Sequence, residues 1–191
     1  MTTLRKHVST FLRTQGYRCL NRSVHLLRLD DDFSLWVNTG VVGLAADIAP
    51  YIGLRSESVE AARARFLDRP NHPTTVTVGA NVGYILDGRY RAWQRGSDPT
   101  EVTQTIEAGL QKLRPLASLA ALPGLFSCPG VREAPGTPYV AILVALLRHD
   151  RGSLLARLED ARLAFCIRPD EICDQFRAFE ERLGAELGAK A

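Results

Sequence analysis

A strict alternation of side chains around three consecutive aspartates constrains the fold of this chain more than any other feature. Residues 24–29 alternate between the two faces of an extended chain, and the alternation resumes over residues 33–41, after the aspartates at 30–32. Polar residues between two such segments are typical of a turn. The sequence therefore predicts an antiparallel β-hairpin with the acidic triplet as its turn.

Two helices are predicted within the first half of the chain. Apolar residues recur at helical spacing over residues 3–14, and Gly16 supplies a stop that commonly ends a helix. Ser56 is a favourable N-cap, and the apolar stripe after it predicts a second helix that ends near residue 68. We expect both helices to pack on the sheet.

Two more strands are predicted beside the hairpin. Residues 47–54 carry apolar side chains at a period of two, but Pro50 lies among them and cannot donate to a ladder. This third strand is therefore expected to be bulged or at an edge. Residues 75–86 return to alternation and predict a fourth strand. The glycine-rich residues 79–83 fall within that strand and indicate a bulge or a close backbone approach.

The second half of the chain is predicted to be helical. Asp98, Pro99 and Glu101 form a strong helix start, with a side-chain cap, a proline at the first helical position and a glutamate after it. Pro115 kinks or ends this helix. The three helices that follow are predicted to begin near residues 137, 152 and 169. The first of them is apolar on almost every side, which is typical of a buried helix.

These elements predict an α+β fold, in which an antiparallel sheet of about four strands is packed by the N-terminal helix and by a helical C-terminal half. A chain of 191 residues is within the usual size of one domain. We therefore expect a single domain over residues 1–191. Residues 1–96 would be mostly sheet with two helices, and residues 97–191 would form the helical half.

Composition and hydropathy argue against a membrane span. The chain is 46% hydrophobic and 24% charged, which is typical of a globular domain. Its longest apolar run, residues 139–147, is far shorter than the roughly 20 residues that a membrane helix needs. Basic side chains interrupt the apolar positions of residues 1–16, a pattern unlike that of a signal peptide. We expect a cytoplasmic protein without membrane association.

Neither a metal site nor a cofactor is predicted. The cysteines lack the Cys-x-x-Cys spacing of zinc ligands, and no histidine lies at ligand spacing beside them. In a reducing compartment we expect them to be free thiols. They are Cys19, Cys128, Cys166 and Cys173. The acidic triplet lacks the spaced ligands of a calcium loop and is expected to be a solvated turn.

The most distinctive local cluster lies between two glycines at residues 88 and 96, where arginines alternate with aromatic side chains. Guanidinium groups and aromatic rings are enriched at protein interfaces, and the same groups can stack on nucleic-acid bases. The structural alternative is a strand end whose aromatic rings pack inward while the arginines are solvated. The candidate partner-binding residues are Arg89, Tyr90, Arg91, Trp93 and Arg95.

No catalytic site is predicted. The chain has neither a Gly-x-Ser-x-Gly elbow nor a phosphate-binding glycine loop. A nucleophile and base can be drawn from Cys128, His149 and Asp150, but nothing in the sequence brings these side chains together. An enzyme built around Cys128 or His149 is therefore an alternative for which no substrate class can be named.

Structural motifs in about the first two-thirds of the chain point to a family. Phe11-Leu12 and Gly16-Tyr17 close the first predicted helix, and residues 33–41 read FSLWVNTGV in a predicted strand. With the order of elements, they resemble a bacterial domain family of unknown function whose members occur among small proteins encoded near toxin systems. The resemblance implies a non-catalytic protein-interaction protein, and specifically an immunity-type inhibitor that binds and neutralises a cognate bacterial toxin.

The distribution of charge bears on the kind of partner. The formal net charge is +3, and residues 1–29 contain six basic side chains and no acidic one. Complementary charge steers association, so this chain suits an acidic or neutral protein partner. If the basic N-terminal helix lay beside residues 89–95, the two would favour the alternative function, a nucleic-acid-binding module.

Overall fold

Each strand of the sheet pairs with the next strand along the chain, so the sheet is a five-stranded antiparallel meander. The computed structural model describes residues 3–40, 48–165 and 170–189. The α+β prediction is confirmed, although the sheet has five strands where about four were predicted. The missed strand has two residues, too few for a period of two to show. The strands are β1 (Arg18–Cys19), β2 (Val24–Arg28), β3 (Phe33–Asn38), β4 (Tyr51–Ser56) and β5 (Val78–Asn81).

The helices follow the predicted order, with two short additions, one directly after β5 and one at residues 129–132. Within the described residues they are α1 (Thr3–Thr14), α2 (Glu57–Leu67), α3 (Val82–Asp87), α4 (Pro99–Leu113), α5 (Pro129–Arg132), α6 (Thr137–Leu147), α7 (Arg151–Phe165) and α8 (Asp170–Ala189). Short 3₁₀ turns cover Arg114–Leu116 and Leu122–Leu125. No helix in the described ranges combines the length and the apolar composition needed to cross a membrane.

β2 and β3 form the predicted hairpin, in which Leu27 pairs with Leu35. The turn is closed by Asp30, whose Oδ1 accepts hydrogen bonds from the N–H groups of Phe33 at 2.6 Å and Asp32 at 2.8 Å. These two bonds hold the pKa of the Asp30 carboxyl below its ordinary value. Residue 41, the last position of the predicted alternation, lies outside the described residues.

β4 is an inner strand, which corrects the prediction of an edge or bulged strand. It pairs with β3 on one side and with β5 on the other. Pro50 immediately precedes Tyr51, the first residue of β4, so the ladder does not require the N–H that proline lacks. The Pro50 carbonyl accepts a hydrogen bond from the N–H of Val82 at 2.9 Å.

The predicted fourth strand is a strand only in part. β5 ends at Asn81, and the residues after it form α3. The Asn81 side chain accepts a hydrogen bond from the Gly83 N–H at 3.0 Å, which caps that helix. Residues 79–83 join a strand to a helix, so the bulge predicted for them is wrong. The alternative, a close backbone approach, is confirmed at Gly79 and Gly83. A short apolar segment fits a period of two and a helical period equally well.

Two predicted helix starts are confirmed in atomic detail. Asp98 Oδ1 accepts the N–H of Thr100 at 2.8 Å at the beginning of α4. Ser56 Oγ accepts the N–H of Val59 at 3.2 Å at the beginning of α2. A hydroxyl or carboxylate at the N-cap typically contributes about 1 kcal/mol to helix stability. Both helices thus begin where their side-chain acceptors lie.

One hydrophobic core contains residues from both halves of the chain. The inner face of the sheet, represented by Leu35 and Ile52, is buried beneath α4, which also contacts α1. As its sequence predicted, α6 is buried around its whole circumference over most of its length, and it packs between α2 and α7. Each fully buried Leu or Ile side chain stabilises the fold by roughly 1.5–3 kcal/mol.

The outer face of the sheet is covered near its middle by residues 71–76. The indole Nε1 of Trp36 donates to the Thr74 carbonyl at 2.9 Å. The buried guanidinium of Arg55 donates to the His72 carbonyl at 2.9 Å and to Asn71 Oδ1 at 2.7 Å. These hydrogen bonds stabilise the guanidinium, because a buried cation without partners would cost free energy of folding.

Candidate interaction site

One buried side chain, that of Asn81, holds residues 88–96 at the end of β5. Its Nδ2 donates to the Arg91 carbonyl at 2.8 Å, and its Oδ1 accepts from the Arg91 N–H at 2.8 Å. The same Oδ1 accepts the Gly83 N–H that begins α3. Asn81 is completely buried, so the loss of these bonds would leave polar groups unsatisfied away from water. Asn81 therefore sets both the start of α3 and the position of the segment.

Gly83 lets the segment approach α3 closely. A Cβ atom at residue 83 would overlap the Arg89 carbonyl oxygen and would lie 2.6 Å from Arg91 Cγ. The Gly83 carbonyl accepts the N–H of Gly88 at 3.1 Å, and Gly88 adopts a left-handed φ of +77°. The segment consequently turns back along the helix.

Trp93 lies in the interior of the molecule. It is 7% exposed, and its backbone forms an antiparallel bridge with Ile48. Its indole Nε1 donates to Glu101 Oε1 at 2.9 Å. The polar atom and most of the ring surface of Trp93 are thus occupied within the chain.

Arg91 is paired within the segment. Its Nη2 lies 2.5 Å from Asp87 Oδ2, four residues earlier. The hydrogen bond from Arg91 holds the pKa of Asp87 below its ordinary value. Because the two opposite charges are adjacent, they add little net charge to the surface.

Tyr90 lies at the surface with two other tyrosines. Its ring meets that of Tyr84 edge to face, with centroids 6.2 Å apart and 62° between the planes. Partial burial raises the pKa of Tyr90, and the neighbouring hydroxyls of Tyr51 and Tyr84 raise it further. Tyr90 is 44% exposed and Tyr51 is 39% exposed. Tyr84 is half-buried against the core, so Tyr51 and Tyr90 supply the exposed part of this aromatic cluster.

Two arginines of the segment are exposed, and one of them, Arg89, attracts the nearby Asp87 carboxylate. The side chains of Arg89 and Arg95 are exposed, and neither guanidinium forms an ion pair or hydrogen bond with a described residue. Arg89 directly precedes Tyr90. We call Tyr51, Tyr84, Tyr90 and Arg89 the tyrosine patch.

The sequence pattern around residues 88–96 pointed to Arg89 and Tyr90 but not to Tyr51 and Tyr84. Tyr84 fell inside a predicted strand, and Tyr51 belongs to a strand predicted to be bulged. The pairing of β4 with β5 places Tyr51 opposite Asn81, which binds the backbone next to Tyr90. No periodicity within a single segment carries this information.

The basic N-terminal helix lies toward the other edge of the sheet. α1 contacts β1 and the far end of α4, whereas residues 88–96 are bonded to β5. β1 and β5 are the two edge strands. α1 and the segment therefore do not form one basic surface, the arrangement that would have favoured the nucleic-acid alternative.

The three side chains considered for catalysis lie in separate surroundings. Cys128 Sγ donates to the Tyr84 carbonyl at 3.4 Å. The Asp150 carboxylate accepts the N–H and the hydroxyl of Ser153 at 3.0 and 2.7 Å, at the beginning of α7. His149 is exposed in the turn after α6, with φ of +56°. Among the described residues, no hydrogen bond joins these three side chains.

A serine and a histidine also meet inside the core. Ser9 Oγ lies 2.8 Å from His25 Nε2, between α1 and β2. His25 is completely buried, and its Nδ1 has no hydrogen-bond partner. A catalytic pair needs an orienting group on the second nitrogen and access for a substrate, and this pair has neither. It is a packing contact.

The acidic triplet forms hydrogen bonds and an ion pair within the fold. Asp32 Oδ1 accepts the N–H of Ser58 at 2.7 Å at the beginning of α2, and Asp31 pairs with the exposed Arg28. In the part of the chain that the structure describes, no group of three or more His, Cys, Asp or Glu side chains could hold a metal ion. The free thiols are those of Cys19, Cys128 and Cys173, and Cys166 lies outside the described residues.

Comparison of the chain with protein-family models, with curated proteins and with solved structures finds no match. The resemblance to an immunity-type family therefore rests on the sequence motifs and on the order of elements.

Proposed function

We propose that this protein is a non-catalytic interaction protein that binds an acidic protein partner through the tyrosine patch. The observation that carries the proposal is the exposure of Tyr51 and Tyr90 beside the half-buried Tyr84 and the exposed Arg89. Tyrosine and arginine are the residue types that, with tryptophan, most often dominate the binding energy of protein interfaces. Tyrosine also offers a large contact area at a low cost in conformational entropy.

The support beneath the patch favours the same function. Asn81 bonds the backbone N–H and carbonyl of Arg91, and the Trp93 indole bonds Glu101. A surface that is already rigid loses less entropy when it binds. The patch is thus preorganised for a partner.

The charge around the patch favours an acidic partner. Arg89 and Arg95 are unpaired, while the nearby Asp87 carboxylate is neutralised by Arg91. The chain carries a net charge of +3. Complementary charge raises association rates and suppresses wrong partners.

The resemblance to immunity-type proteins supplies the class of partner. On that ground we propose a cognate bacterial toxin, encoded beside this protein, whose active site is covered when the patch binds. A toxin surface rich in aspartate and glutamate would match the patch.

Co-purification tests this proposal. The tagged protein is expressed with the product of the adjacent gene, and the complex is recovered at low and at moderate salt. We expect a complex that Arg89→Glu disrupts and that Arg22→Glu leaves intact, since Arg22 is an exposed, unpaired arginine in the turn between β1 and β2.

Two results would count against the proposal. Failure of the wild-type protein to retain the adjacent product removes the toxin as partner. A complex that both charge reversals weaken equally removes the patch as the contact. Steeply salt-dependent binding to single-stranded nucleic acid would favour the alternative module instead.

A further inference from the structure

The N-terminal part of the chain presents a basic surface that the proposed function does not use. Residues 1–29 contain six basic side chains and no acidic one. Four of these cations are exposed and form no ion pair or hydrogen bond with a described residue: Lys6, Arg13, Arg18 and Arg22. We call these four residues the basic edge, because they surround β1, an edge strand of the sheet.

A single contact in the core fixes where two of these cations emerge. Ser9 Oγ lies 2.8 Å from His25 Nε2, so this face of α1 rests on β2. Lys6 is three residues before Ser9, and Arg13 is four residues after it. Side chains at these spacings share one face of a helix, one turn to either side. Lys6 and Arg13 therefore flank the contact between Ser9 and His25.

Arg18 lies beside the same contact, on β1. Gly16, with φ of +86°, donates its N–H to the Arg13 carbonyl at 3.0 Å and ends α1, so the chain turns directly into β1. Cys19 of β1 pairs with His25. Paired residues of antiparallel strands have Cα atoms about 4.5–5.5 Å apart, so Arg18 begins within about 7 Å of His25.

Arg22 occupies the turn between β1 and β2. Asn21 Oδ1 accepts the N–H groups of Ser23 and Val24 at 2.9 and 2.8 Å, which closes the turn with Arg22 exposed in it. Arg22 is three residues before His25, a separation of at most about 11 Å. All four cations of the basic edge are thus attached around one fixed contact.

The remaining side chains of this surface indicate the kind of anion that it fits. The exposed large hydrophobic side chains of the described chain all lie outside residues 3–40. Protein interfaces and membrane-bound helices depend on such apolar anchors. Thr10 and Asn21 are instead exposed among the cations. Arginine, lysine, threonine and asparagine are side chains that commonly contact the phosphates of nucleic acids.

We propose that the basic edge binds the phosphate backbone of a nucleic-acid duplex, independently of base sequence. A duplex carries one negative charge per roughly 1.7 Å of its axis, so several phosphates lie within reach of cations attached about 10 Å apart. Single strands are usually held by aromatic side chains that stack on the bases, and residues 3–40 expose none.

This surface is separate from the tyrosine patch and does not depend on the function proposed for it. β1 and β5 are opposite edges of the sheet, and the patch lies at β4 and the segment bonded to β5. The binding also differs from that of the module considered from the sequence, which required α1 and residues 89–95 to act together. A protein partner and a duplex could therefore be bound at the same time.

Fluorescence anisotropy with a labelled duplex of about 20 base pairs tests the proposal through its dependence on salt. Four phosphate contacts predict a slope of about −3.6 when the logarithm of the affinity is plotted against that of the salt concentration. We therefore expect the affinity to fall about 100-fold between roughly 50 and 200 mM salt. A DNA duplex and an RNA duplex are both used, and binding of either supports the proposal.

Two variants and a control assign the contacts. Arg13→Gln and Arg22→Gln are each expected to lower the steepness of the slope by about 1, so that the affinity falls only about 40-fold over the same salt range. Arg89→Gln removes the same charge from the tyrosine patch and is expected to keep the wild-type slope. All three residues are exposed, and an unchanged urea midpoint shows that each variant is folded.

Four results would overturn the proposal. The first is the absence of saturable binding of either duplex at about 50 mM salt. The second is a slope that Arg13→Gln and Arg22→Gln leave unchanged, or that Arg89→Gln lowers equally. Tighter binding of a single strand than of the duplex would assign the binding to aromatic side chains. Polyglutamate that competes as well as unlabelled duplex would assign the basic edge to an acidic protein.

Discussion

The indole nitrogen of Trp93 and the carboxylate of Glu101 are joined by a hydrogen bond of 2.9 Å at the beginning of α4. A glutamate at this position commonly reaches back to the cap of its own helix, but Glu101 binds a side chain eight residues earlier. With the bridge to Ile48, this bond ties residues 88–96 to the body of the protein. Arg89 and Tyr90 of the tyrosine patch are therefore carried by a fixed segment.

Removal of the Trp93 donor is expected to destabilise the protein. Trp93→Phe keeps an aromatic ring and loses the bond to a charged acceptor, so we expect about 1–3 kcal/mol less free energy of unfolding in urea. Glu101→Ala removes the acceptor, and the double variant completes a thermodynamic cycle. Strictly additive effects in that cycle would show that the bond contributes nothing.

The close approach of residues 88–96 to Gly83 can be tested with Gly96, a glycine of that segment, as the control. Gly83→Ala introduces a methyl group that would overlap the Arg89 carbonyl, so we expect a loss of about 1–3 kcal/mol and weaker partner binding. Gly96→Ala adds its methyl group to open space, and we expect a change within about 0.5 kcal/mol. Urea unfolding and co-purification measure the two effects. Equal behaviour of the two variants would contradict the packing of the segment on α3.

The buried His25 makes stability depend on pH. Burial lowers the pKa of His25 below its ordinary value of 6.5, although the nearby backbone of Ser23 favours the protonated ring and opposes the shift. The unfolded chain then binds a proton more readily than the folded one, so stability is full above about pH 6.5 and falls as the pH drops toward the folded pKa.

Two histidine variants check this dependence. His25→Gln retains an acceptor or donor for Ser9 and is expected to flatten the decline in unfolding free energy between about pH 7 and pH 5. His7→Gln, at an exposed position of α1, is expected to leave the decline unchanged. A wild-type slope in His25→Gln would assign the decline to other groups.

The strands of the sheet could be predicted where alternation between the two faces was the one pattern that the residues fitted. β2 and β3 alternate because their faces meet different surroundings, and the alternation is visible in the sequence. The prediction failed after Asn81, because a side-chain cap starts α3 within an apolar stretch that fits both periods. It also misplaced β4, because Pro50 lies one residue outside the ladder.

The candidate site could be predicted only in part. The composition of residues 88–96 fitted either an interaction cluster or a strand end with inward aromatic rings. In the structure Arg89 and Tyr90 are exposed, whereas Trp93 is buried. The orientation of the Trp93 side chain depends on its hydrogen bond to Glu101, which belongs to another element. Tyr51 joins the patch only through strand pairing, and pairing partners are not encoded within either strand alone.

Calorimetric titration of the adjacent-gene product with variants at Tyr90 tests the central claim most directly. We expect Tyr90→Ala to weaken binding by at least about 30-fold, and Tyr90→Phe to bind within about threefold of the wild type, because the ring supplies most of the contact. Leu155→Ala, on α7 where the side chain is 58% exposed, is the control and is expected to bind like the wild type. Wild-type affinity in Tyr90→Ala would contradict the assignment of the tyrosine patch as the binding surface.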